Sequence, residues 1–285
     1  MKRRGGRGLA EATAYATLLC LGLLVFGFPL YWMVRGAFIT QATWMKVPTV
    51  WLPRQLTSHA FLDIFAEFRM SRVLFNTFAL AALTMVCNVL FDCMAGFAFA
   101  KMRVPLKEWI FIALLVTLMV PFEGLMVPLY LIVTKAGLAN TMVGLVLPGA
   151  ANAFCIYLMR RFFEKVPDDL IEAAVVDGAG WWRVFRSVAV PLAAPAVATV
   201  AVITFLGGWE SFIWPLLITD PHSNFDVLQK VIAQAAYTSM GGVSGGIEFP
   251  WLMAAALIST VPVLILFAFF QRFFISGLTA GAIKG

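Results

Sequence analysis

Few residues in this sequence have the types and spacing that catalysis or metal binding requires. The two histidines, His59 and His222, lie far apart, and neither has a cysteine or a second histidine nearby. Metal sites are built from several such ligands at short spacings, and an activated nucleophile needs a neighbouring base. The sequence therefore predicts no metal centre and argues against a membrane enzyme.

Three carboxylates are unusual because they fall inside long apolar runs: Asp92, Glu123 and Glu210. An acid within a membrane is costly and usually faces a cavity or a protein partner. Trp209 and Ser211 flank Glu210 and add an aromatic ring and a hydroxyl. Two interpretations stay open for these acids, a polar pathway and packing against a partner.

The composition indicates the elements that must hold these residues. Of 285 residues, 61% are hydrophobic and only 13% are charged, with a mean hydropathy of +0.89. A soluble domain carries about a quarter charged residues. A membrane span takes about 20 apolar residues and must be helical, because lipid offers the backbone no hydrogen bonds. The sequence predicts an all-α integral membrane protein with six spans, at about 14–35, 73–99, 109–133, 141–159, 194–218 and 250–271.

Cysteines and prolines within these spans have structural interpretations. The cysteines are expected to be small packing residues, because all four fall in predicted helices: Cys20, Cys87, Cys93 and Cys155. Three prolines are predicted to break the third and fourth spans: Pro121, Pro128 and Pro148. Broken spans occur where protein or a cavity satisfies the freed backbone groups.

The basic residues predict an orientation. Of the 21 lysines and arginines, 14 lie in the N-terminal tail, the 100–108 and 160–193 segments, and the C-terminal tail. Cytoplasmic loops carry the excess of Lys and Arg, so both termini are expected in the cytoplasm. The first apolar run is too long for a signal peptide and is expected to stay in the membrane. Basic residues dispersed in this way argue against a nucleic-acid surface.

The 160–193 segment predicts a short helix between two spans. Asp168 and Asp169 follow a proline and predict a capping acid at the helix start, with Glu172 placed as in a capping box. Gly178 predicts the helix end. Helices that rest on lipid usually present basic polar faces, whereas this helix is acidic. We therefore expect it to dock on another protein.

The same segment resembles the EAA loop of ABC importer permeases. Glu172 and two alanines, Ala173 and Ala174, are followed after three residues by Gly178. Nine residues later the sequence is Val-Ala-Val-Pro, ending at Pro191, where the family has Ile-x-Leu-Pro. The two valines keep the apolar character and the spacing matches throughout.

The likeness runs from about residue 15 to the C-terminus. Stretches at 96–101, 128–138, 207–216 and 271–285 are similar to segments of the carbohydrate-uptake branch, of the MalG-like type. Glu210 departs from this pattern, in which an asparagine follows the tryptophan.

The resemblance implies a type I ABC importer permease fold in a bacterial cytoplasmic membrane. The implied organisation is a cytoplasmic tail at 1–13, a six-helix permease domain at 14–275 that contains the coupling loop 160–193, and a cytoplasmic tail at 276–285. Implied partners are a second homologous permease, two ATP-binding subunits and a periplasmic or extracellular sugar-binding protein.

ATP and Mg²⁺ are expected on the partner ATPase, because this sequence has no phosphate-binding G-x-x-x-x-G-K-[ST] loop. The chain itself is expected to bind no cofactor and no metal. The resemblance implies two contacts with the ATPase. The coupling residues are Glu172, Ala173, Ala174, Asp177, Gly178 and Pro191, and the tail contact is Gly281 and Lys284.

The implied substrate is a mono- or oligosaccharide. The Trp209 ring could stack on the C–H faces of the sugar. The polar side chains of Glu210, Ser211 and Glu123 could form hydrogen bonds with the sugar hydroxyls. Glycerol-3-phosphate or a polyol is the alternative, although a phosphate would favour basic residues in the spans, and these are almost absent. An ion-coupled secondary transporter is a further alternative, but its usual inverted repeats are not seen.

Overall fold

The computed structural model describes the backbone of residues 4–220, 223–237 and 248–282, and all regular elements in these ranges are helical. The all-α prediction is confirmed. The helices are α1 (Arg4–Ala37), α2 (Gln41–Trp44), α3 (His59–Glu67), α4 (Met70–Lys101), α5 (Lys107–Thr117), α6 (Phe122–Lys135), α7 (Met142–Val146), α8 (Ala153–Phe163), α9 (Asp168–Val176), α10 (Trp181–Val184), α11 (Val190–Leu192), α12 (Ala194–Trp209), α13 (Ile213–Ile218), α14 (Leu228–Tyr237) and α15 (Phe249–Ala282).

Three helical stretches within the described ranges are long and apolar enough to cross a membrane alone: Thr13–Ala37, Met70–Lys101 and Phe249–Phe269. Three further stretches pass as bent pairs, α5 with α6 at 99°, Met142–Gly149 with α8 at 51°, and Trp181–Leu192 with α12 at 85°. If each bent pair is counted as one span, the described ranges contain six candidate membrane spans.

The positions of the breaks correct two predictions. Pro121 precedes α6 and marks the break in the third span, and Pro148 lies in a 3₁₀ turn after α7. Pro128, however, lies inside α6, which continues past it. The predicted span 194–218 is also wrong as a single helix, because α12 ends at Trp209 and a separate α13 follows.

The chain forms two compact units, of which the first comprises Met1–Met70 and Ile232–Pro262. Its small core contains Ala37, Ala60 and Ala254. An aromatic cluster adds to it, with the Trp44 and Phe249 rings stacked 5.2 Å apart.

The second unit comprises Ser71–Val231 and Val263–Gly285. One of its buried clusters joins α4, α8, α9 and α12 through residues such as Phe97, Phe163 and Val200. Another contains Leu80, Val133 and Trp214. Every predicted coupling and pathway residue in the described ranges belongs to this unit.

Candidate functional site

The first part of the site is α9, which begins at Asp168 directly after Pro167. The prediction of an aspartate cap is wrong, because no side chain caps this helix and both Asp168 and Asp169 lie in its first turn. Acids there still interact favourably with the helix dipole. The Asp168 carboxylate bonds to Lys101 instead, at 2.5 Å.

The helix α9 ends where Gly178 predicted its end, and the hydrogen bonds there form a Schellman motif. Gly178 has φ +81°, a conformation that costs residues with a Cβ atom about 1–2 kcal/mol. Its N–H donates to the Val175 carbonyl at 3.0 Å, and the Ala179 N–H donates to the Ala174 carbonyl at 3.0 Å. These two bonds satisfy carbonyls that the last turn leaves unpaired. The chain can therefore reverse immediately after the helix.

The two faces of α9 differ in burial. Ile171 is buried and Ala174 packs against the same cluster. The exposed face carries four of the predicted coupling residues: Glu172, Ala173, Asp177 and Gly178. Val176 adds an apolar side chain that is 86% exposed. This combination of acid, small and apolar groups is suited to contact with another protein.

The buried side of the segment is held by aromatic rings. The Phe97 ring of α4 lies 5.6 Å from Phe163, 5.4 Å from Phe185 and 6.3 Å from Trp181. The chain then makes a π-helical turn at Phe185–Ala189 and enters α11, which contains the exposed Pro191. The helix–turn–helix is thus anchored on the end of α4.

A charged network near the end of α8 was not predicted. Arg160 donates to Glu108 and to Glu164, each at 2.9 Å, and its guanidinium lies 4.1 Å from the Phe111 ring centroid. Burial is the largest single effect and raises the pKa of Glu164, but the hydrogen bonds and positive charges of Arg160 and Arg161 together outweigh it, so this pKa lies below its ordinary value. The i,i+4 spacing of Arg160 and Glu164 could have indicated part of this network.

The predicted pathway residues near Glu210 lie where α12 ends. Trp209 is buried, with its ring stacked 6.2 Å from Phe205. Glu210 is exposed and Ser211 is half-buried. The three residues lie together at a break between two helices, and Glu210 is the one of them that is exposed.

Glu123 lies in the first turn of α6 and is exposed. Its neighbour Phe122 contacts Trp214 of α13, with ring centroids 6.3 Å apart. The Trp214 indole N–H donates to the Gly144 carbonyl at 3.1 Å. The break before α6 and the break after α12 are therefore brought to the same region, and Trp214 is the residue that joins them.

Asp92 bonds within this chain. It is fully buried on α4, and its Oδ1 accepts the Asn152 N–H at 3.0 Å. One turn earlier, Asn88 donates to the Gly149 carbonyl at 2.6 Å. These two bonds attach the connection between α7 and α8 to α4.

The tail and cofactor predictions stay predictions. Gly281 lies in the last turn of α15, and Lys284 lies outside the described residues.

Among the described residues no three His, Cys, Asp or Glu side chains are grouped to hold a metal ion. All four cysteines are free thiols.

Solved structures place the fold among transporter subunits. A bacterial ABC transporter involved in the import of the acidic polysaccharide alginate contains a chain that matches with a TM-score of 0.82. The match covers 96% of this chain and 99% of that one, at 21% sequence identity. The protein therefore shares the fold of that transporter chain.

Sequence comparison identifies the family. Residues 92–279 match the binding-protein-dependent transport system inner membrane component family, and the chain belongs to it. The arabinooligosaccharides transport system permease protein AraQ of Halalkalibacterium halodurans is 32% identical, over 90% of this chain and 91% of that protein. The sn-glycerol-3-phosphate transport system permease protein UgpE of Brucella abortus is 28% identical, over 92% and 93%. The chain is accordingly a multi-pass membrane transporter subunit and not an enzyme.

Proposed function

We propose that this chain is a permease subunit of an ATP-driven, binding-protein-dependent importer for a mono- or oligosaccharide, and that α9 is its contact with the ATPase. The observation that carries the proposal is the two-faced α9. One face packs on the aromatic cluster around Phe97, and the other exposes Glu172, Ala173 and Asp177.

The topology proposed for this role has six spans. The two bent pairs before α9 count as one span each, whereas the fifth span begins with α12 and its bent partner Trp181–Leu192 belongs to the coupling loop. Residues 1–13 and 276–285 are cytoplasmic tails, and 14–275 form the permease domain. The coupling loop 160–193 lies in the cytoplasm with both termini, in agreement with the distribution of basic residues.

Coupling works through a rigid contact. When the two ATPase subunits close, they move α9, and the anchored helix–turn–helix passes this displacement to the spans. Glu172 and Asp177 supply charge at the contact, the alanines Ala173 and Ala174 allow close approach, and Gly178 permits the sharp helix end. Pro191 leads from the coupling loop into the next span. Gly281 and Lys284 of the tail form a second ATPase contact.

The substrate is proposed to pass the helix breaks that Trp214 joins. Glu123 is exposed at one break, and Glu210 and Ser211 lie at the other. Carboxylates and hydroxyls at these breaks match the hydroxyls of a sugar. Trp209, predicted to stack on the sugar, directly precedes Glu210 in the sequence but is buried in this chain.

The complex is proposed to contain a second permease, two ATP-binding subunits and an external sugar-binding protein. ATP and Mg²⁺ bind the ATPase subunits, and this chain binds no cofactor.

Glycerol-3-phosphate is the second candidate substrate, because the Brucella relative is named for it. A phosphate needs cationic partners. Lys230, a fully buried lysine in the second unit, donates to Thr219 and Asp220 and pairs with Asp226 at 2.7 Å. It is thus engaged in its own network, which favours a neutral sugar.

The test is uptake by proteoliposomes that contain this chain with the permease, ATPase and binding protein encoded beside it. Labelled arabinooligosaccharides, other sugars and glycerol-3-phosphate are compared with and without ATP. Sugar uptake that needs ATP and the binding protein, and that Glu172→Ala abolishes without loss of membrane insertion, is the expected result. Uptake driven by an ion gradient without ATP would overturn the proposal.

A further inference from the structure

Lys101 is the last residue of α4, and its side chain is only 6% exposed. Its ammonium donates to the Val166 carbonyl at 2.6 Å and to the Asp168 carboxylate at 2.5 Å. These acceptors lie more than 60 residues further along the chain, on either side of Pro167, where α9 begins. One buried cation therefore joins the end of a long apolar helix to the start of α9.

The chemistry explains why a lysine occupies this position. A buried ammonium is costly unless it is paired and hydrogen-bonded. The C-terminal end of α4 favours a cation through its dipole. The Val166 carbonyl precedes Pro167, outside α9, and Lys101 satisfies it. The flexible lysine stem can reach both acceptors from the helix end.

The acids of the 168–177 stretch are divided by this contact. Asp168 is paired with Lys101. Across the described ranges, Asp169, Glu172 and Asp177 form no ion pair and are exposed. One acid is committed to this chain, whereas three are free to meet another protein.

We propose that Lys101 is a positioning residue that fixes the start of α9 on the end of α4, so that a displacement of α9 is passed directly to that span. The proposal deepens the coupling function proposed above and rests on it for its functional consequence. The aromatic cluster around Phe97 holds the middle of the helix–turn–helix, whereas Lys101 sets the position and direction in which α9 begins.

Hydrogen exchange of the full chain in lipid nanodiscs tests the positioning directly. Lys101→Met keeps the apolar stem and removes both bonds, and Asp168→Asn removes only the charge of the partner. Matched controls are Lys107→Met, whose ammonium lies 3.5 Å from the Met102 carbonyl and contacts no part of α9, and Asp169→Asn, which loses no ion pair.

We expect the amides of 168–179 to exchange about tenfold faster in Lys101→Met, a change of one decade in the local opening equilibrium. Asp168→Asn is expected to have a smaller effect, and Lys101→Arg should restore protection. Unchanged exchange in Lys101→Met would overturn the proposal. An equal rise in a helix of another buried cluster, such as α6 with its buried Val133, would also overturn it, because Lys101 would then support the whole fold and not α9.

Transport measurements separate this inference from the proposed function. In the assembled transporter, Lys101→Met should lower the amount of substrate imported per ATP hydrolysed, while Lys107→Met should not. If Glu172→Ala leaves uptake intact, the coupling function fails, but local exchange still decides whether Lys101 positions α9. If exchange rises locally and import per ATP is unchanged, the functional part of the inference is wrong.

Discussion

Gly208 of α12 lies directly against Ala81 of α4, so closely that a Cβ atom on Gly208 would be 2.7 Å from the Ala81 Cα. Small residues allow the backbones of membrane helices to approach in this way. We expect Gly208→Val to destabilise the chain by about 1–3 kcal/mol, the usual effect of overpacking. Thermal unfolding in detergent measures this.

The neighbouring glycine is the control for that experiment. A Cβ atom on Gly207 would meet nothing within 4 Å. Gly207→Val should therefore unfold at nearly the wild-type temperature, because its side chain points into open space. Equal effects of the two substitutions would show that helix propensity, and not the contact with Ala81, governs the result.

Asp92 provides a second prediction. Its Oδ2 and the Asn88 Oδ1 are buried acceptors one helical turn apart, and neither has a donor in the described part of the chain. Asp92→Asn keeps an oxygen for the Asn152 N–H and adds an amide that can donate to Asn88. We expect it to be as stable as the wild type. Asp92→Leu should lose about 1–3 kcal/mol, because the Asn152 N–H is left without its acceptor.

Denaturation of both Asp92 variants by SDS titration measures this difference. If Asp92→Asn is clearly less stable than the wild type, the carboxylate charge itself is required at this position.

Gly178 provides a third prediction. Its φ of +81° is strained for any residue with a side chain, although nothing blocks a Cβ atom there. Gly178→Ala should cost about 1–2 kcal/mol locally and reduce ATP-driven uptake, while the chain still inserts into the membrane.

Gly180 is its control, since its φ of −68° suits alanine. Proteoliposome uptake and the yield of membrane-inserted protein are compared for both variants. Normal uptake by Gly178→Ala would mean that the helix end tolerates strain without losing its contact.

Arg35 provides a fourth prediction, in the first unit. It is 5% exposed, and its guanidinium donates to the Val50 carbonyl through Nε at 2.9 Å. The same group lies 4.7 Å from the Trp32 ring centroid. Arg35→Met loses a charged hydrogen bond and a cation–π contact, and we expect it to lose about 2–3 kcal/mol.

Arg54→Met is the matched control, because Arg54 is exposed in the connecting segment that also contains Val50. Thermal unfolding of the purified chain compares the two. A smaller loss for Arg35→Met than for Arg54→Met would show that the contacts of Arg35 with Val50 and Trp32 do not stabilise the chain.

The sequence by itself determined the class of protein and the most local features of the site. The apolar runs require helices, because lipid offers no other backbone hydrogen bonds. Gly178 predicted the end of α9, since a left-handed residue is needed there whatever surrounds it. The spacing from Glu172 to Pro191 indicated the family, and the comparisons confirmed it.

Tertiary structure decided where side chains find their partners. The sequence suggested an aspartate cap for α9, but Asp168 bonds to Lys101, which lies 67 residues earlier. It placed one span at 194–218, but α12 ends at Trp209, and Trp214 bonds to Gly144, 70 residues away. Local propensity determines how a helix starts and stops only where no distant group competes. Such distant partners depend on how the helices pack, and no short window of sequence contains that information.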